Sequence, residues 1–429
     1  MRTRRVIVGA VDFGSRAIRV LIARRDGDGP IQIIGHGLAP ANGCVSQGVI
    51  QDLTAAKVAF RAALTEAEKE ARCRADAIFC GINGRNVETF IREGSLHVPH
   101  ETVESAHMTE ATDIASRDIA VAGKHIASSL LAQEWYVDDL RVADPRGIHA
   151  QTLKTRIHFA RLPAVIQDNI GACVESQQRD MEDTIFLPLA AALGCLTAED
   201  MELGVAVLDM GRSTTGLAVY RDYRILGTQC FEWGGYHITR DVAAGLRVSF
   251  EEADELVLEY GISDAFIRKD AGDDPAPPER TVPNGDRAAQ LKLKTAVHGA
   301  PSIVDRAELD QIIWERAREL MSKVRQHIHT KGLSKNLVRG IVLTGGCCTI
   351  RNYVALAESI FQVPCRIGLP TSVEILCHAV KSPEFAPAVG IVRHGFAVRA
   401  ANMDGRADPG GPLGKLIRRI VRFLKRYFM

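Results

Sequence analysis

The sequence predicts an α/β fold in which one unit, three strands followed by a helix and a fourth strand, occurs twice. Runs rich in β-branched residues alternate with segments of helical periodicity. An Asp-x-Gly triplet ends the first strand of both copies, as Asp12-Phe13-Gly14 and Asp209-Met210-Gly211. A third glycine turn, Gly345-Gly346, follows another buried strand. Together these observations predict a duplicated fold.

The first unit begins with residues 5–13 and 17–23, two β-branched strands on either side of Gly14-Ser15-Arg16, which predicts a hairpin. Residues 31–39 predict a third strand. Residues 53–71 have helical periodicity with a charged face, and residues 75–82 form a buried strand after them. The order is therefore β-β-β-α-β.

The second unit repeats this order. Residues 204–210 and 215–222 predict a hairpin around Gly211-Arg212-Ser213-Thr214, and 224–231 a further strand. Residues 341–350 read as a strand, a glycine turn and the start of a helix. Between the two units, residues 188–196 (PLAAALGCL) predict a small-residue helix able to pack close to another helix.

Three stretches interrupt the repeat. Residues 84–154 mix helix-like and strand-like pieces and read as an inserted subdomain. Residues 270–286 are rich in Pro, Asp and Gly and predict an exposed loop. Residues 401–412 predict a flexible linker to the last segment.

Composition excludes several classes of protein. The net charge of +1 becomes −5 without the six cations of the last segment, so no general basic field for nucleic acid exists. The ten cysteines form no CxxC pair and predict reduced, packed thiols of a cytosolic protein. The amino-terminal apolar run is too short for a signal peptide, and no run reaches the roughly 18 apolar residues of a spanning helix.

The last segment, 413–429, predicts an amphipathic helix that lies on an anionic membrane surface. A partner groove or nucleic acid is an alternative ligand, although the aromatic residues lie away from the arginines. At about 100° per residue the apolar face contains Leu413, Leu416, Ile417, Ile420, Val421, Phe423, Leu424, Tyr427 and Phe428, and the cationic face contains Lys415, Arg418, Arg419, Arg422, Lys425 and Arg426.

The two Asp-x-Gly hairpins carry the predicted chemistry. A glycine turn exposes successive backbone N–H groups to an anion, and Ser15, Ser213 and Thr214 add hydroxyl donors. Asp12 and Asp209 can hold Mg²⁺ directly or through water. Two such turns facing each other would grip a nucleoside triphosphate, and Gly345-Gly346 would admit its base or ribose. The alternative is that each motif is an ordinary turn; no P-loop or GxGxxG motif is present.

Several motifs resemble those of a known family. The actin, Hsp70 and sugar-kinase superfamily has motifs similar to AVDFGSRAIRVLIA, VAVLDMGRSTTGLAVY, IVLTGGCCTIRNY and AVGIVRHG. Within this superfamily, the sequence most resembles the FtsA family of bacterial cell-division proteins. The stretches that carry this resemblance are FEWGGYHITRDVA, SFEEADELVLEYG and the amphipathic end. The resemblance runs from about residue 6 to the last residue.

The resemblance implies an actin-like fold of four subdomains with ATP and Mg²⁺ between its halves. It further implies filaments of the protein itself at the division site, on the cytoplasmic face of the inner membrane, and binding of the FtsZ C-terminal peptide to residues 231–304. Downstream division proteins would bind residues 84–154. The implied subdomains are 1A (1–83 and 155–200), 1C (84–154), 2A (201–230 and 305–400) and 2B (231–304), followed by the linker 401–412 and the helix 413–429.

At three of the positions that correspond to nucleotide contacts in the family, this sequence has a different residue. Arg212 stands in a turn that is often GGGT in the family, Val257 replaces the lysine of an AExLK motif, and Arg16 replaces a lysine. We therefore expect ATP binding with weak hydrolysis at most. The expected cofactor-binding residues are Asp12, Gly14, Ser15, Arg16, Asp209, Gly211, Ser213, Thr214, Asp254, Gly345 and Gly346.

No residue stands out as a catalytic base besides the metal candidates Asp12 and Asp209. Asp241 and Glu252 are possible water-positioning groups, but solvated or capping acids are the favoured interpretation, and for His237 a structural role is favoured over a catalytic one. Two alternative functions from other classes stay open: an actin-like ATPase of a pilus or secretion assembly, and a small-molecule kinase of the same superfamily.

Overall fold

The computed structural model describes residues 5–75, 77–84, 86–128, 133–270, 290–295 and 303–403. The predicted amphipathic helix at 413–429 lies outside these residues. So do positions 404–412 of the predicted linker and all but the first residue of the predicted loop at 270–286.

The first unit of the chain folds as predicted. Strands β1 and β2 form an antiparallel hairpin, β3 continues it antiparallel, and β6 returns parallel to β1 after the helix. Asp52 caps this helix, because its side chain accepts a hydrogen bond from the Ala55 N–H at 3.0 Å. The elements are β1 (Arg5–Phe13), β2 (Ala17–Asp26), β3 (Gln32–Pro40), β4 (Val45–Ser46), β5 (Val49–Ile50), α1 (Leu53–Ala71) and β6 (Ile78–Ile82).

The interrupting residues form a separate antiparallel sheet of five strands with its own small core. Its long strands β7 and β11 pair along most of their length, and the predicted boundary at residue 154 falls inside β11. The elements are β7 (Glu88–Thr102), α2 (Ser105–Ala115), β8 (Lys124–Ser128), β9 (Glu134–Val137), β10 (Leu140–Val142) and β11 (His149–Pro163).

After the insertion the chain returns to the first sheet and then crosses to the second half. A parallel strand joins β6, and the predicted helix over 188–196 is confirmed as α4. The elements are α3 (Ala164–Glu175), β12 (Met181–Phe186), α4 (Leu187–Cys195) and α5 (Ala198–Leu203).

The second half repeats the first. Strands β13, β14 and β15 are antiparallel, and β18 lies parallel to β13 as β6 does to β1. The predicted duplication is therefore confirmed. Its elements are β13 (Val205–Met210), β14 (Thr215–Arg221), β15 (Arg224–Phe231), α6 (Gly235–Leu246), α7 (Phe250–Tyr260), α8 (Asp264–Asp270), β16 (Gln290–Lys292), β17 (Ile303–Asp305), α9 (Arg306–Thr330) and β18 (Ile341–Thr344).

One local prediction is corrected at the third glycine turn. A 3₁₀ turn over Gly346–Thr349 replaces the helix start expected there, and the α-helix begins only at Tyr353. The left-handed backbone of Asn352 (φ 62°) accounts for the delay, because such a residue cannot lie within an α-helix. The last elements are α10 (Tyr353–Phe361), β19 (Cys365–Ile367), β20 (Glu374–Ile375) and α11 (Ala386–Met403).

Helices α4 and α11 pack backbone against backbone. A Cβ atom on Gly194 would lie 1.8 Å from the Ala386 carbonyl oxygen, and one on Gly390 would lie 1.7 Å from that of Ala190. Only glycine permits this approach. Because α11 ends at Met403, positions 401–403 of the predicted linker are helical. None of the described helices combines the length and apolar character needed to cross a bilayer.

Candidate functional site: the cleft between the two glycine turns

All eleven predicted cofactor-binding residues line one cleft. Its empty space is about 920 Å³, counting the part that opens to solvent. The turn after β1 and the turn after β13 form two of its walls, and the Gly345-Gly346 turn forms a third. The binding roles of these residues stay a prediction, but the duplicated fold brings them together.

The two hairpin turns touch at their serines. Ser15 Oγ lies 2.5 Å from Ser213 Oγ. Ser213 Oγ also accepts a hydrogen bond from the Gln47 backbone N–H at 2.9 Å. Asn83, directly after β6, donates to Thr214 Oγ1 at 3.4 Å. The two halves therefore face each other through polar groups that can also bind phosphate oxygens.

Two carboxyl groups lie at the base of the cleft. Burial, together with the nearby Asp12 carboxylate, raises the pKa of Asp209 to about 7. Burial also raises the pKa of Asp12, although Arg19 opposes that shift. Asp12 Oδ1 is buried and has no hydrogen-bond partner among the described residues. Such a pair favours a bound cation over two free carboxylates.

Arg19 is a site residue that the sequence analysis missed. It lies directly opposite Asp12 in the β1–β2 register, with Arg19 Nη1 3.8 Å from Asp12 Oδ2. Its Nη2 donates to Glu384 Oε2 at 2.6 Å. The equivalent position in the second hairpin, opposite Asp209, is Gly216. The duplicated hairpins therefore supply two acids to the cleft base but one arginine.

These residues fit a divalent cation. Asp12 and Asp209 offer carboxylate oxygens, the ligands that Mg²⁺ prefers. The unpartnered Asp12 Oδ1 and the raised pKa of both groups show that Arg19 does not offset the negative charge of two ionised carboxylates. Mg²⁺ would bring charge that stabilises the ionised carboxylates and, when bound with a triphosphate, its β and γ oxygens.

The opposite wall is held by an ion-pair cluster around Asp254. Arg212 Nη1 donates to Asp254 Oδ2 at 3.2 Å, and Arg16 Nη1 lies 3.9 Å from the same oxygen. Thr239 Oγ1 donates to Asp254 Oδ1 at 2.7 Å. Arg212, one of the three departures from the family pattern, thus ties its turn to α7. Val257, the second departure, is buried in the same wall.

Gly345 cannot be replaced without moving the cleft base. Its φ of +81° lies outside the range that L side chains favour, and a Cβ atom there would lie 2.5 Å from Asp209 Oδ1. A Cβ atom on Gly346 would meet nothing within 4 Å. The two glycines of this turn therefore have different roles: Gly345 fixes the backbone beside Asp209, and Gly346 faces open space.

Several lining residues went unpredicted. The antiparallel hairpin register points to Arg19, and Gly235 belongs to a Gly-Gly pair within a motif already noted. Glu384 comes from a distant segment with no local signal. The missed lining residues include Arg19, Gly48, Asn83, Gly235, Thr239, Cys347 and Glu384.

The three possible water-positioning groups do not line the cleft. Asp241 forms an ion pair with Arg316 at 2.5 Å, and Glu252 accepts the Lys294 N–H at 2.5 Å. His237 accepts the Gly234 N–H at 3.2 Å at the start of α6. Each therefore makes a structural contact outside the cleft, although Glu252 is buried and is not the solvated or capping acid expected.

Sequence comparisons agree with the geometry. The family model described as "Cell division protein FtsA" matches residues 206–390. Among curated relatives, the cell division protein FtsA of Pseudomonas aeruginosa is 28% identical over 400 residues, covering 93% of this chain and 91% of the relative. That of Escherichia coli K12 is 25% identical, covering 99% of both chains.

Solved structures show the same fold at low identity. A chain of the PilM–PilN type IV pilus biogenesis complex has a TM-score of 0.62 at 15% identity, covering 91% of this chain and 99% of that one. MreB5 of Spiroplasma citri bound to ADP has a TM-score of 0.54 at 12% identity, covering 94% and 99%. With this actin-like fold, the chain is similar over nearly its whole length to cell-division proteins of the FtsA family.

Proposed function

We propose that this protein binds ATP with Mg²⁺, polymerises on the inner face of the cytoplasmic membrane and anchors the FtsZ ring there at the division site. The observation that carries the nucleotide part is the cleft in which two equivalent glycine turns meet, with Ser15 and Ser213 in contact. The cell-division role is supported by the FtsA relatives, which match this chain over nearly its whole length.

In this proposal the triphosphate lies between the two turns. Backbone N–H groups and the hydroxyls of Ser15, Ser213 and Thr214 bind its oxygens. Asp12 and Asp209 hold Mg²⁺ directly or through water, and the Gly345-Gly346 turn admits the nucleoside. A structure with this fold, MreB5 of Spiroplasma citri, is described as bound to AMPPNP.

Nucleotide acts here as an assembly ligand. The cleft lining contains no His, and its acids are either at the base or paired with arginine, so an obvious base for water is absent from the described lining. Closure of the two halves around ATP would stabilise the shape that polymerises. We then expect weak ATP hydrolysis at most.

The nucleotide role is tested by polymerisation on anionic vesicles. We expect filaments with Mg-ATP, and at least about tenfold fewer without nucleotide or with Asp12→Ala. Asp28→Ala, which changes an exposed acid far from the cleft lining, is the matched control. Equal polymerisation of the wild type with and without nucleotide, and of Asp12→Ala, would contradict this role.

The membrane part rests on residues 413–429. Six cations contribute about 1 kcal/mol each near an anionic leaflet, and the apolar face adds burial energy. One such helix binds reversibly, so a filament that links many helices gains by avidity.

We further propose that residues 231–304 bind the FtsZ C-terminal peptide and that residues 84–154 bind downstream division proteins.

Two measurements test these contacts. Deletion of 413–429 is expected to abolish co-flotation with anionic vesicles, whereas Arg419→Lys, which keeps the charge, is expected to retain it. An immobilised FtsZ C-terminal peptide is expected to retain the full-length protein and also the variant that lacks 413–429. Undiminished flotation after the deletion rejects the membrane helix, and loss of peptide binding with flotation intact rejects the FtsZ contact alone.

The pilus-type alternative has one supporting observation, the TM-score of 0.62 to the PilM–PilN complex. At 15% identity that likeness concerns the fold. The FtsZ peptide experiment separates the two functions, since a pilus ATPase has no reason to bind the peptide. A small-molecule kinase would instead show ATP turnover stimulated by its substrate.

A further inference from the structure

We propose that His36, Glu70 and Cys377 form a binding site for a zinc-class divalent cation, separate from the nucleotide cleft. The three residues come from β3, from the end of α1 and from the segment after β20. Their donor atoms, an imidazole nitrogen, a carboxylate oxygen and a thiol sulfur, all lie within 4.8 Å of one another. None of the three residues lines the cleft.

The donor set selects the metal. Mg²⁺ and Ca²⁺ prefer oxygen ligands, whereas an N, O, S set suits Zn²⁺ and Co²⁺. Three protein ligands leave a fourth tetrahedral position for water or another ligand. The side chains of His36 and Glu70 are 25% and 40% exposed, so solvent and metal can reach the site, while Cys377 is buried beneath them.

The donors are close to the required spacing. Tetrahedral zinc with bonds of about 2.0–2.3 Å needs donors about 3.5 Å apart. His36 Nδ1 and Glu70 Oε2 are hydrogen-bonded at 2.6 Å, so a metal that replaces the proton between them moves them apart by about 1 Å. Glu70 Oε2 also accepts the His36 backbone N–H at 2.7 Å, which already orients the carboxylate. Small side-chain shifts therefore complete the site.

The location gives the metal a structural consequence. Strand β20 is the edge strand where the second half of the chain returns to the first sheet, and it pairs with β3 through only two residue pairs. The Glu374 N–H donates to the Ile31 carbonyl at 2.8 Å, and the Leu376 N–H donates to the Ile33 carbonyl at 3.2 Å. A metal bound by His36 and Cys377 would fasten this short strand to the sheet.

The experiment uses the untagged full-length protein with excess Mg²⁺ and ATP, so that the cleft is occupied. Co²⁺ is titrated in as a spectroscopic probe and then displaced with Zn²⁺. We expect about one Co²⁺ per chain with a thiolate-to-cobalt charge-transfer band. Cys377→Ser and Glu70→Gln are expected to weaken binding by more than about tenfold. Cys365→Ser, which changes a half-buried thiol outside the site, is the matched control.

A second readout needs no variant. Zn²⁺ is expected to slow hydrogen exchange of the Glu374 and Leu376 amides while leaving the paired amides of β13 and β18 unchanged. A wild-type protein without a charge-transfer band, or a Cys365→Ser loss equal to that of Cys377→Ser, overturns the proposal. So does unchanged exchange at Glu374 and Leu376 when zinc is bound.

Discussion

Ser15 Oγ and Ser213 Oγ lie 2.5 Å apart, although 198 residues separate the two serines in the chain. Ser15 comes directly after Gly14, and Ser213 comes two residues after Gly211, so the contact joins the glycine turns of the two copies. The duplication therefore produces one cleft with a wall from each half. A ligand that enters between the turns has to separate these two hydroxyl groups.

This contact predicts protection by nucleotide. In a Ser15→Cys, Ser213→Cys double variant, a mild oxidant is expected to link the two turns, because the side chains that replace the hydroxyls lie in reach of a disulfide. Saturating Mg-ATP is expected to slow the reaction at least about tenfold if phosphates lie between the turns. Peptide mapping measures the link, and the single variants control for the ten native cysteines. Equal rates with and without Mg-ATP would place the phosphates elsewhere.

Substitution of the two glycines in the Gly345-Gly346 turn is predicted to have unequal effects on stability. Gly345→Ala is expected to lower the free energy of unfolding by about 2 kcal/mol, because the backbone conformation is reserved for glycine and the new Cβ would press on Asp209. Gly346→Ala is expected to change it by less than about 0.5 kcal/mol. Urea unfolding of both variants measures this, and equal losses would contradict the geometry.

Arg19 is predicted to be the most sensitive charged residue of the cleft base. Arg19→Met leaves Asp12 and Glu384 without their cation, so we expect a loss of about 3 kcal/mol in the free energy of unfolding. Adding Asp12→Asn is expected to recover part of that loss in a double-mutant cycle. Arg5→Met, which breaks the exposed Arg5–Asp26 pair, is expected to cost less than about 1 kcal/mol. Similar costs for both arginine variants would be inconsistent with a buried role.

His158 predicts a dependence of stability on pH. Its Nε2 lies 2.8 Å from Thr228 Oγ1, across the contact between β11 and β15. Burial lowers the pKa of His158 from 6.5 to about 4, so the unfolded chain binds the proton more tightly. Stability is therefore complete above pH 6.5 and falls as pH drops toward 4, by about 2 kcal/mol between pH 7 and 5.

Urea unfolding at several pH values measures this slope, and His158→Gln is expected to reduce it. His329→Gln replaces an exposed histidine of α9 and is expected to leave the slope unchanged. If both variants keep the wild-type slope, protonation of His158 is not the cause of the pH dependence.

The sequence allowed the strands and the cleft residues to be predicted because they depend on local patterns. Hairpins follow from β-branched runs around glycine, and two copies of Asp-x-Gly predict facing turns. Arg19 was missed, although the predicted hairpin register alone places it opposite Asp12. Glu384 was inaccessible, because its position depends on how a segment 365 residues away packs against the first sheet.

The Gly345-Gly346 turn shows a different limit. Its strand and glycines were predicted, yet the following helix begins later, at Tyr353, because Asn352 adopts a left-handed backbone. Backbone conformation at a single asparagine is not visible in a hydrophobic pattern. The pairing of His36, Glu70 and Cys377 was equally hidden, since it joins three elements far apart in the chain.

The glycine contact between α4 and α11 has a mechanical consequence. Helix α11 packs against β1 of the first sheet and α4 packs against β13 of the second, and their backbones touch at Gly194 and Gly390. Sliding one helix along the other would drive main-chain atoms into side chains, whereas a small rotation about the contact point keeps the backbones in register. We therefore expect the cleft to open by a pivoting motion about this contact, which is formed by two residues that have no side chain.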